Sequence, residues 1–342
     1  RTYQRALATV GNNIANVDTE GYSRQRVEIA QSASSSEGSL NIGNGARAVR
    51  VQRSYDNFVV ENLRSSQSQL NKHQATLEYV TQLENILADK QLSLSTSMDG
   101  FFAAVQEVSL SPSSVAARQN MLNVAESTVA QFTSVGTQLS LIEENSYSDL
   151  TGQVSSLNQL ADQLASVNAS LNRVNSLDKQ PNELLDRRDT LIQDMSKLLR
   201  VHVVEKNNGA VDIHIGDVAS GQYLVKDKTA STLGIDRSAA NPDEAVLMLD
   251  PYMSPQKVTQ VVGGSIAGIS EFRQNSLTIL RDELDTLTQV FVGEVNDTHA
   301  LGIDAQGNFG GELFSLGNIY TVTPGLNKGT GFVTVSAVPN AK

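Results

Sequence analysis

The sequence predicts a multidomain α+β protein, in which an elongated bundle of long, coiled-coil-like helices carries an inserted antiparallel β-domain. Two features support this prediction. Apolar residues recur every three or four positions through 54–88 and 112–176, as they do along the seam of a coiled coil. After residue 200 the period changes to two, and near residue 263 the helical spacing returns. Because helix resumes after the β segment, we expect that segment to interrupt the bundle.

The first domain, residues 1–53, is predicted to contain an N-terminal helix followed by an extended or hairpin segment. The helix should stop near Asn16, since Asn is a weak helix former and a good C-terminal residue. Residues 31–45 have the small-residue composition of a linker or hairpin loop. The run 46–53 alternates imperfectly and predicts a short strand with a basic face, formed by Arg47, Arg50 and Arg53.

The helical bundle is predicted over residues 54–199. Its first helix should start at an N-cap, Ser54. Its apolar seam should contain leucines spaced seven apart and then continue towards the end of the helix, at Leu63, Leu70, Leu77, Val80, Leu83 and Leu87. A second helix is predicted from Pro112 to Ser176, with two glycines as weak points, Gly136 and Gly152, and a third from Asn182 to Leu199. We expect the second helix to bury Leu157, Leu160, Leu164, Val167 and Leu171.

The inserted β-domain is predicted over residues 200–262 and begins with a hairpin whose turn contains Asn208-Gly209. Residues 263–301 should form a helix that returns to the bundle. Residues 302–342 should begin a further β-domain, with strands near 320–322 and 331–335, that stops in mid-architecture. Narrow seams on long helices lead us to expect an elongated monomer.

Composition excludes several classes of function. The chain has 342 residues and a net charge of −11, from 26 basic and 37 acidic side chains, which argues against nucleic acid and anionic membranes as partners. With no cysteine, it lacks disulfides, thiol catalysis and Cys-based zinc sites. No apolar run approaches the length of a membrane span, and no signal peptide is visible in a sequence that starts without Met.

We find no candidate active site, metal site or cofactor site in the sequence, and therefore expect no enzyme. His202, Asp212 and His214 could face each other across the predicted hairpin and bind a metal, but a hydrogen-bonded pair is favoured. Asp304–Asn308 lacks the remaining ligands of a calcium loop and predicts a tight turn. Other motifs have a simple structural interpretation: Gly263-Gly264 as a hinge or cap, the exposed His73, and solvated charge pairs among Glu183, Asp186, Arg187, Arg188 and Asp189.

Four stretches resemble a known family. Residues 11–25, GNNIANVDTEGYSRQ, resemble the N-terminal signature of the bacterial flagellar axial proteins of rod, hook and hook-associated type. Residues 182–192, NELLDRRDTLI, are similar to the central motif of the hook-associated protein 1 family, the first hook–filament junction proteins. Residues 263–273 and 296–314 are similar to the next motif block of that family. The resemblance covers about residues 1–316.

The resemblance implies a secreted structural protein of the flagellum, which forms a junction ring between hook and filament with one copy per protofilament. Its implied partners are other copies of itself, the hook protein, the second junction protein and a cytoplasmic export chaperone that binds the C-terminal region. It also implies unfolded export by the flagellar type III apparatus, without nucleic acid or membrane insertion. The implied assembly residues are those of the N-terminal signature: Asn12, Asn13, Ile14, Asn16, Gly21, Tyr22 and Arg24.

Relative to the family pattern, the first turns of the N-terminal helix and the paired C-terminal helix are absent from this sequence, so we expect its own assembly to be impaired. Asn12, Asn13 and Asn16 have no evident partner within the chain. Residues 1–16 are predicted to be mobile, or packed only on a neighbour, until neighbouring subunits or the absent C-terminal helix bury Leu7, Val10 and Ile14. Alternative functions are a ligand-sensing extracellular coiled-coil domain, as in chemoreceptors, and a surface adhesin.

Overall fold

The computed structural model describes residues 1–32, 35–37, 40–42, 45–174, 181–216, 218–237, 245–250, 252, 254–304, 307–316 and 333–335. The chain forms two compact units. Unit 1 comprises residues 1–72, 153–234 and 247–267, and unit 2 comprises residues 73–152, 235–246 and 268–342. The strand predicted near 320–322 lies outside the described residues. The helix predicted to reach Ser176 ends earlier, at Leu171, and residues 172–174 form a turn.

The secondary structure combines long helices with short antiparallel sheets. The helices are α1 (Thr2–Ala15), α2 (Asn57–Ala88), α3 (Leu94–Leu110), α4 (Val115–Leu171), α5 (Asn182–Leu198), α6 (Gly264–Phe272) and α7 (Thr278–Ala300). The strands are β1 (Gln25–Gln31), β2 (Ser35–Glu37), β3 (Leu40–Ile42), β4 (Ala46–Arg53), β5 (Val201–Glu205), β6 (Val211–Ile215), β7 (Tyr223–Lys226), β8 (Thr229–Ala230), β9 (Leu233–Arg237), β10 (Ala245–Leu249), β11 (Gln256–Lys257), β12 (Phe314–Leu316) and β13 (Val333–Val335).

The helix boundaries follow the predicted order, with three corrections. The N-cap of α2 is Asp56 and not Ser54, because the Asp56 carboxylate accepts hydrogen bonds from the amides of Phe58 and Val59. Helix α3 was not predicted, and the Ser93 hydroxyl caps it by accepting from the Thr96 amide. Helix α4 begins three residues after Pro112 and continues through both glycines.

The predicted leucine seam of α2 is wrong. Leu63, Leu70 and Leu77 are 48, 55 and 65% exposed. The buried positions lie on another face of the helix, at Ser68, Ala75, Tyr79 and Leu83, of which Leu83 belongs to the predicted continuation of the seam. A seven-residue repeat identifies a face that can pack, but helices distant in sequence determine which face is covered.

Unit 1 is held together by apolar packing and by two amides of α4. Its fully buried side chains include Leu157, Leu164, Leu171, Ile192, Met195, Leu199 and Ile213, while Leu160 is half-buried. Asn168 donates to the carbonyls of Val211 and Asp227, each at 2.7 Å, and accepts from the Val211 amide at 3.0 Å. Asn158 makes the same kind of paired contact with the backbone of Leu233. These amides fix α4 against the β-domain.

That β-domain contains the four-stranded antiparallel sheet β5-β6-β7-β8 and the three-stranded sheet β9-β10-β11. The predicted hairpin is confirmed, with β5 paired to β6 across residues 206–210. The Asn208 side chain accepts a hydrogen bond from the Ala210 amide at 3.1 Å inside this turn. The local turn chemistry predicted from sequence therefore sets the register of the two strands.

Unit 2 has an aromatic core. Phe101, Phe132, Phe291 and Phe314 pack with ring centroids 5.4–5.8 Å apart in the pairs that touch. The returning helix is not continuous, because a π-helical turn, Arg273–Leu277, separates α6 from α7. The buried Arg273 guanidinium of this turn donates to the Glu143 carbonyl and the Ser146 hydroxyl, at 2.8 and 2.7 Å.

Candidate functional site

Helix α1 presents an apolar stripe to solvent. Leu7 and Ile14 are 73% and 69% exposed, and Thr9 is the buried residue of this helix. Other exposed members extend the stripe with steps of four and three residues, at Tyr3, Val10 and Val17. That spacing is the pattern of a coiled-coil seam, and a seam of this kind is stable in water when a second helix covers it.

Asn13 joins α1 to the start of the first strand. Its Nδ2 donates to the Gln25 carbonyl at 2.8 Å, and its Oδ1 accepts from the Gln25 amide and the Tyr22 hydroxyl, both at 2.9 Å. The expectation that this amide lacks an internal partner is therefore wrong. Sequence reasoning missed the contact because it closes a loop of nine to twelve residues through a turn whose path cannot be inferred from spacing.

The other signature amides stabilise the end of α1. Asn16 follows the last helical residue, and its side chain donates to the Asn12 carbonyl at 2.9 Å and accepts from the Thr19 hydroxyl at 3.2 Å. Asn12 itself is exposed, as is Arg24, whose carbonyl accepts from the Ser54 amide at 2.7 Å. The side chains of Asn13 and Asn16 thus shape the helix end and turn, whereas Asn12 contributes its backbone carbonyl. The apolar stripe lies on a different side of α1 from Asn12.

The turn after α1 packs on α5. Gly21 lies against Thr190 and has φ = +81°, a left-handed conformation that glycine adopts without strain. Next to it, partial desolvation and the carboxylate of Asp186 raise the pKa of the Tyr22 phenol. The signature segment is therefore in contact with the NELLDRRD motif, although the two are more than 150 residues apart in sequence.

A buried ion-pair cluster completes this contact. At the end of β4, Arg53 Nη1 lies 2.6 Å from Asp186 Oδ1 and 2.9 Å from Asp189 Oδ2. Arg188 pairs with Asp189 at 2.7 Å and with Glu205 at 2.8 Å. The prediction of solvated helix-surface pairs is wrong for Asp186, Arg188 and Asp189, because the β4 strand and the β-domain cover them. Glu183 and Arg187 are exposed, as predicted.

Charge neutralisation explains why the cluster tolerates burial. The Arg188 side chain is 3% exposed. Burial alone would lower its pKa, but the carboxylates of Asp189 and Glu205 reverse that effect and raise the pKa. Arg64 of α2 lies 3.5 Å from Asp189 and adds a further positive charge. Removing one member would leave an uncompensated buried charge, which is strongly destabilising.

The cluster anchors the hairpin of β1 and β4 to α5. Strands β1 and β4 pair along their length, and Thr2 of α1 donates to the Ala46 carbonyl at 3.0 Å, so α1 is attached to the same hairpin. Asn182 at the start of α5 donates to the Val51 carbonyl at 3.3 Å. The result is a rigid base, formed by α5 and the hairpin, that carries an exposed apolar helix.

The two histidines of the β-domain are cross-strand neighbours. His202 is paired with His214, but Asp212 lies opposite Val204 and forms an ion pair with Lys206 at 2.8 Å. His214 is buried and packs against Tyr223 in a tilted arrangement, with ring centroids 4.2 Å apart. Within the described ranges, no three His, Asp or Glu side chains are arranged to hold a metal ion.

The remaining motifs are structural. The Asp304 carboxylate accepts from the Asn308 amide at 2.8 Å, which confirms the predicted tight turn. His73 is exposed, as expected. Of the helices in the described part of the chain, none combines the length and apolarity that crossing a membrane requires.

Comparison with known proteins connects these features to a family. Residues 80–314 match the model of the "Flagellar hook-associated protein FlgK helical domain", and residues 2–22 match that of the "Flagella basal body rod protein". The N-terminal match covers α1 and the signature turn. The longer match covers the helices and the β-domain between them.

Individual relatives agree with the family models. "Flagellar hook-associated protein 1" of Salmonella typhimurium is 33% identical over 322 residues, which cover 92% of this chain and 57% of that protein. The Escherichia coli protein of the same name is 31% identical, over 95% of this chain and 60% of the relative. The flagellar hook junction protein FlgK of Burkholderia pseudomallei superposes with a TM-score of 0.68 at 27% identity, over 75% of this chain and 47% of that structure. This chain therefore spans less than two thirds of the length of these relatives.

Proposed function

The chain belongs to the flagellar hook-associated protein 1 family, and on that premise we propose that the full-length protein forms the junction between the hook and the filament. The proposed role is structural. Copies of the protein assemble side by side around the flagellar axis into a ring, and each copy contributes α1 to the inner part of that ring.

The observation that carries this proposal is the exposed stripe on α1. Five large apolar side chains face solvent at heptad spacing on a helix that buries almost nothing else, at Tyr3, Leu7, Val10, Ile14 and Val17. Burying Leu7 and Ile14 against another helix would contribute about 1.5–3 kcal/mol for each side chain. The hairpin and the ion-pair cluster hold this helix at a defined place on unit 1, as an assembling subunit requires.

The resemblance also supplies proposed partners. We propose that the hook protein contacts the ring on one side and the second junction protein on the other. Export through the flagellar type III apparatus to the cell exterior, in an unfolded state and with a cytoplasmic chaperone bound to the C-terminal region, belongs to the same proposal. The absence of cysteine suits that route, because folding outside the cell then needs no disulfide formation.

Addition of purified full-length protein to isolated hook tips tests the proposal. The wild-type protein should bind and allow the second junction protein and flagellin to add. Leu7→Glu places a charge in the stripe and should abolish binding. Ala8→Glu is the matched control, because Ala8 is exposed but lies about 100° around the helix from Leu7.

The control variant should add normally to hook tips. Failure of the wild-type protein to add, although it is folded by circular dichroism, would refute the junction role. Equal loss of binding in both variants would show that the stripe is not the assembling surface.

A further inference from the structure

A groove on unit 2 exposes apolar side chains of α3 and α7. Its volume is about 430 Å³, and its lining comes mainly from these two helices, with Met121 of α4 and Leu313 as further apolar members. Four large lining side chains are 37–56% exposed, namely Phe102, Val105, Leu287 and Val290. Apolar side chains gathered in one exposed groove mark a place where another segment packs.

The groove continues along α7. A second groove, of about 520 Å³, shares Leu287 and Val290 with the first and extends to Ile279. The lining residues of α7 therefore run from Ile279 to His299, which is about 30 Å at about 1.5 Å per residue. We call the combined surface the α3–α7 groove. Its length matches that of a helix of about 20 residues, and an apolar groove of this kind accepts the apolar face of an amphipathic helix.

The carboxylates that line the α3–α7 groove set the charge of its occupant. They belong to Asp282, Glu283 and Glu294, and none of the described residues that line the groove is Lys or Arg. Helix α3 contains no Lys or Arg, and the single Arg of α7, Arg281, is paired with Glu143 of α4. A helix with Lys or Arg beside its apolar stripe would complement this surface, whereas an acidic helix would be repelled.

The last described strand lies next to the groove. Leu313 lines the groove, Phe314 begins β12, and β12 pairs with β13. In the Salmonella typhimurium and Escherichia coli relatives, 43% and 40% of the sequence lies outside the match to this chain. Since residues 11–25 resemble an N-terminal signature, most of that additional sequence is expected after residue 342. It would start within about 25 Å of Val335, because an extended residue spans at most about 3.6 Å.

We propose that a helix from the sequence that follows residue 342 in the full-length protein fills the α3–α7 groove. This helix carries apolar residues at spacings of three and four, with Lys or Arg beside the apolar stripe. Tethering favours an occupant from the same chain over a separate protein, because a linked segment meets its site at a raised effective concentration. The contact does not depend on the proposed junction role, since it forms within one copy before assembly.

The accessibility of a cysteine in the groove tests this contact in the unassembled full-length protein. This chain has no cysteine, and any cysteine in the rest of the protein is first replaced by Ser. Val290→Cys should react with a maleimide at least about tenfold more slowly than Glu126→Cys, because its reaction requires the covering helix to open locally. Glu126 is the control, since it is exposed and lies about 140° around α4 from Met121. In the chain of residues 1–342, with folding checked by circular dichroism, the two cysteines should react at similar rates.

Photo-cross-linking identifies the occupant. Thr286 is exposed and lines the groove, so Thr286→Cys in the full-length protein can carry a benzophenone maleimide. Irradiation should give a product of monomer mass whose yield does not change with protein concentration. Mass spectrometry should find the benzophenone joined to a peptide from the sequence after residue 342, with the apolar spacing and the basic residues described above.

Three results would overturn the contact. Equal maleimide reactivity of Val290→Cys and Glu126→Cys in the unassembled full-length protein would show that the groove is open. Cross-links confined to residues 1–342 would show that no later segment lies there. Cross-linked dimers whose yield rises with protein concentration would make the occupant a second copy. Each of these results leaves the junction role intact, because addition of the wild-type protein to hook tips tests that role separately.

Discussion

Gly21 and Thr190 lie so close together that a β-carbon built on residue 21 would come within 2.2 Å of the Thr190 Oγ1 atom. Residue 21 also has φ = +81°, in the left-handed region. The signature turn and α5 therefore meet at a place where two physical constraints, packing and backbone conformation, both require glycine.

Gly21→Ala should lower the free energy of unfolding by about 1–3 kcal/mol from backbone strain, with a further loss from the clash with Thr190. Urea denaturation gives the comparison. Gly45→Ala is the control, because Gly45 has φ = +71° but nothing within 4 Å of its added β-carbon. Equal losses of unfolding free energy in the two variants would show that the contact with Thr190 is unimportant. Because the clash involves the Thr190 side chain, adding Thr190→Ala should partly restore the stability of Gly21→Ala and should not restore that of Gly45→Ala.

Arg53→Met should destabilise unit 1 by about 3–5 kcal/mol, because it leaves the buried carboxylates of Asp186 and Asp189 without their partner. Arg50→Met removes a half-exposed pair with Glu28 and should change stability by at most about 1 kcal/mol. Chemical denaturation measures both. If Arg53→Met and Arg50→Met lowered stability equally, the cluster would not anchor the hairpin.

Leu164→Ala should lower stability by about 2–5 kcal/mol, since Leu164 is completely buried. Leu70→Ala, on the exposed leucine repeat of α2, should stay within about 0.5 kcal/mol of wild type. A thermal midpoint unchanged by Leu164→Ala would mean that this part of α4 is not core. A large loss from Leu70→Ala in the dilute chain would mean that the leucine repeat is covered.

Acidification should destabilise the β-domain through His214. Burial lowers the pKa of His214 below the ordinary value of about 6.5; the Asp212 carboxylate opposes this effect in part, and the positive charges of His202 and Lys226 add to the lowering. The folded state therefore binds a proton less readily than the unfolded state. The stabilisation that neutral His214 contributes is therefore complete above about pH 6.5. It declines as the pH falls from there towards the lowered pKa of His214 in the folded protein.

His214→Asn should flatten the dependence of the urea midpoint on pH between about 7 and 5. His73→Asn, which changes an exposed histidine of α2, should leave that slope as in the wild type. Identical slopes in all three proteins would exclude His214 as the titrating group.

Hydrogen exchange should show weak protection of α1 in the dilute chain. Its backbone is helical and Asn13 is anchored by hydrogen bonds. Its large apolar side chains are exposed, however, and therefore contribute little to keeping the helix from opening locally. In assembled flagella the amides of Leu7 to Ile14 should become strongly protected. Protection in the dilute chain equal to that of residues 157–168 in α4 would contradict the dependence of α1 on assembly.

The helix ends and turns that depend on local interactions could be predicted from the sequence. The end of α1 at Asn16, the hairpin at Asn208-Gly209, the start of α5 after Pro181 and the tight turn from Asp304 to Asn308 follow from interactions within a few residues. Capping, turn formation and apolar periodicity act over that range, so the α+β class and the order of the elements could be predicted.

Only the tertiary structure decided which faces are covered. The leucine repeat of α2 has the spacing of a core seam and is exposed. Within the charged run of α5, which has the composition of a solvent face, Asp186, Arg188 and Asp189 are covered. Asn13 and Gly21 acquired their roles from Gln25 and Thr190, partners that spacing could not identify. The physical reason is that burial and charge pairing depend on residues that the fold brings together from separate elements, from 12 positions apart for Asn13 and Gln25 to 133 for Arg53 and Asp186, and no local pattern specifies those partners.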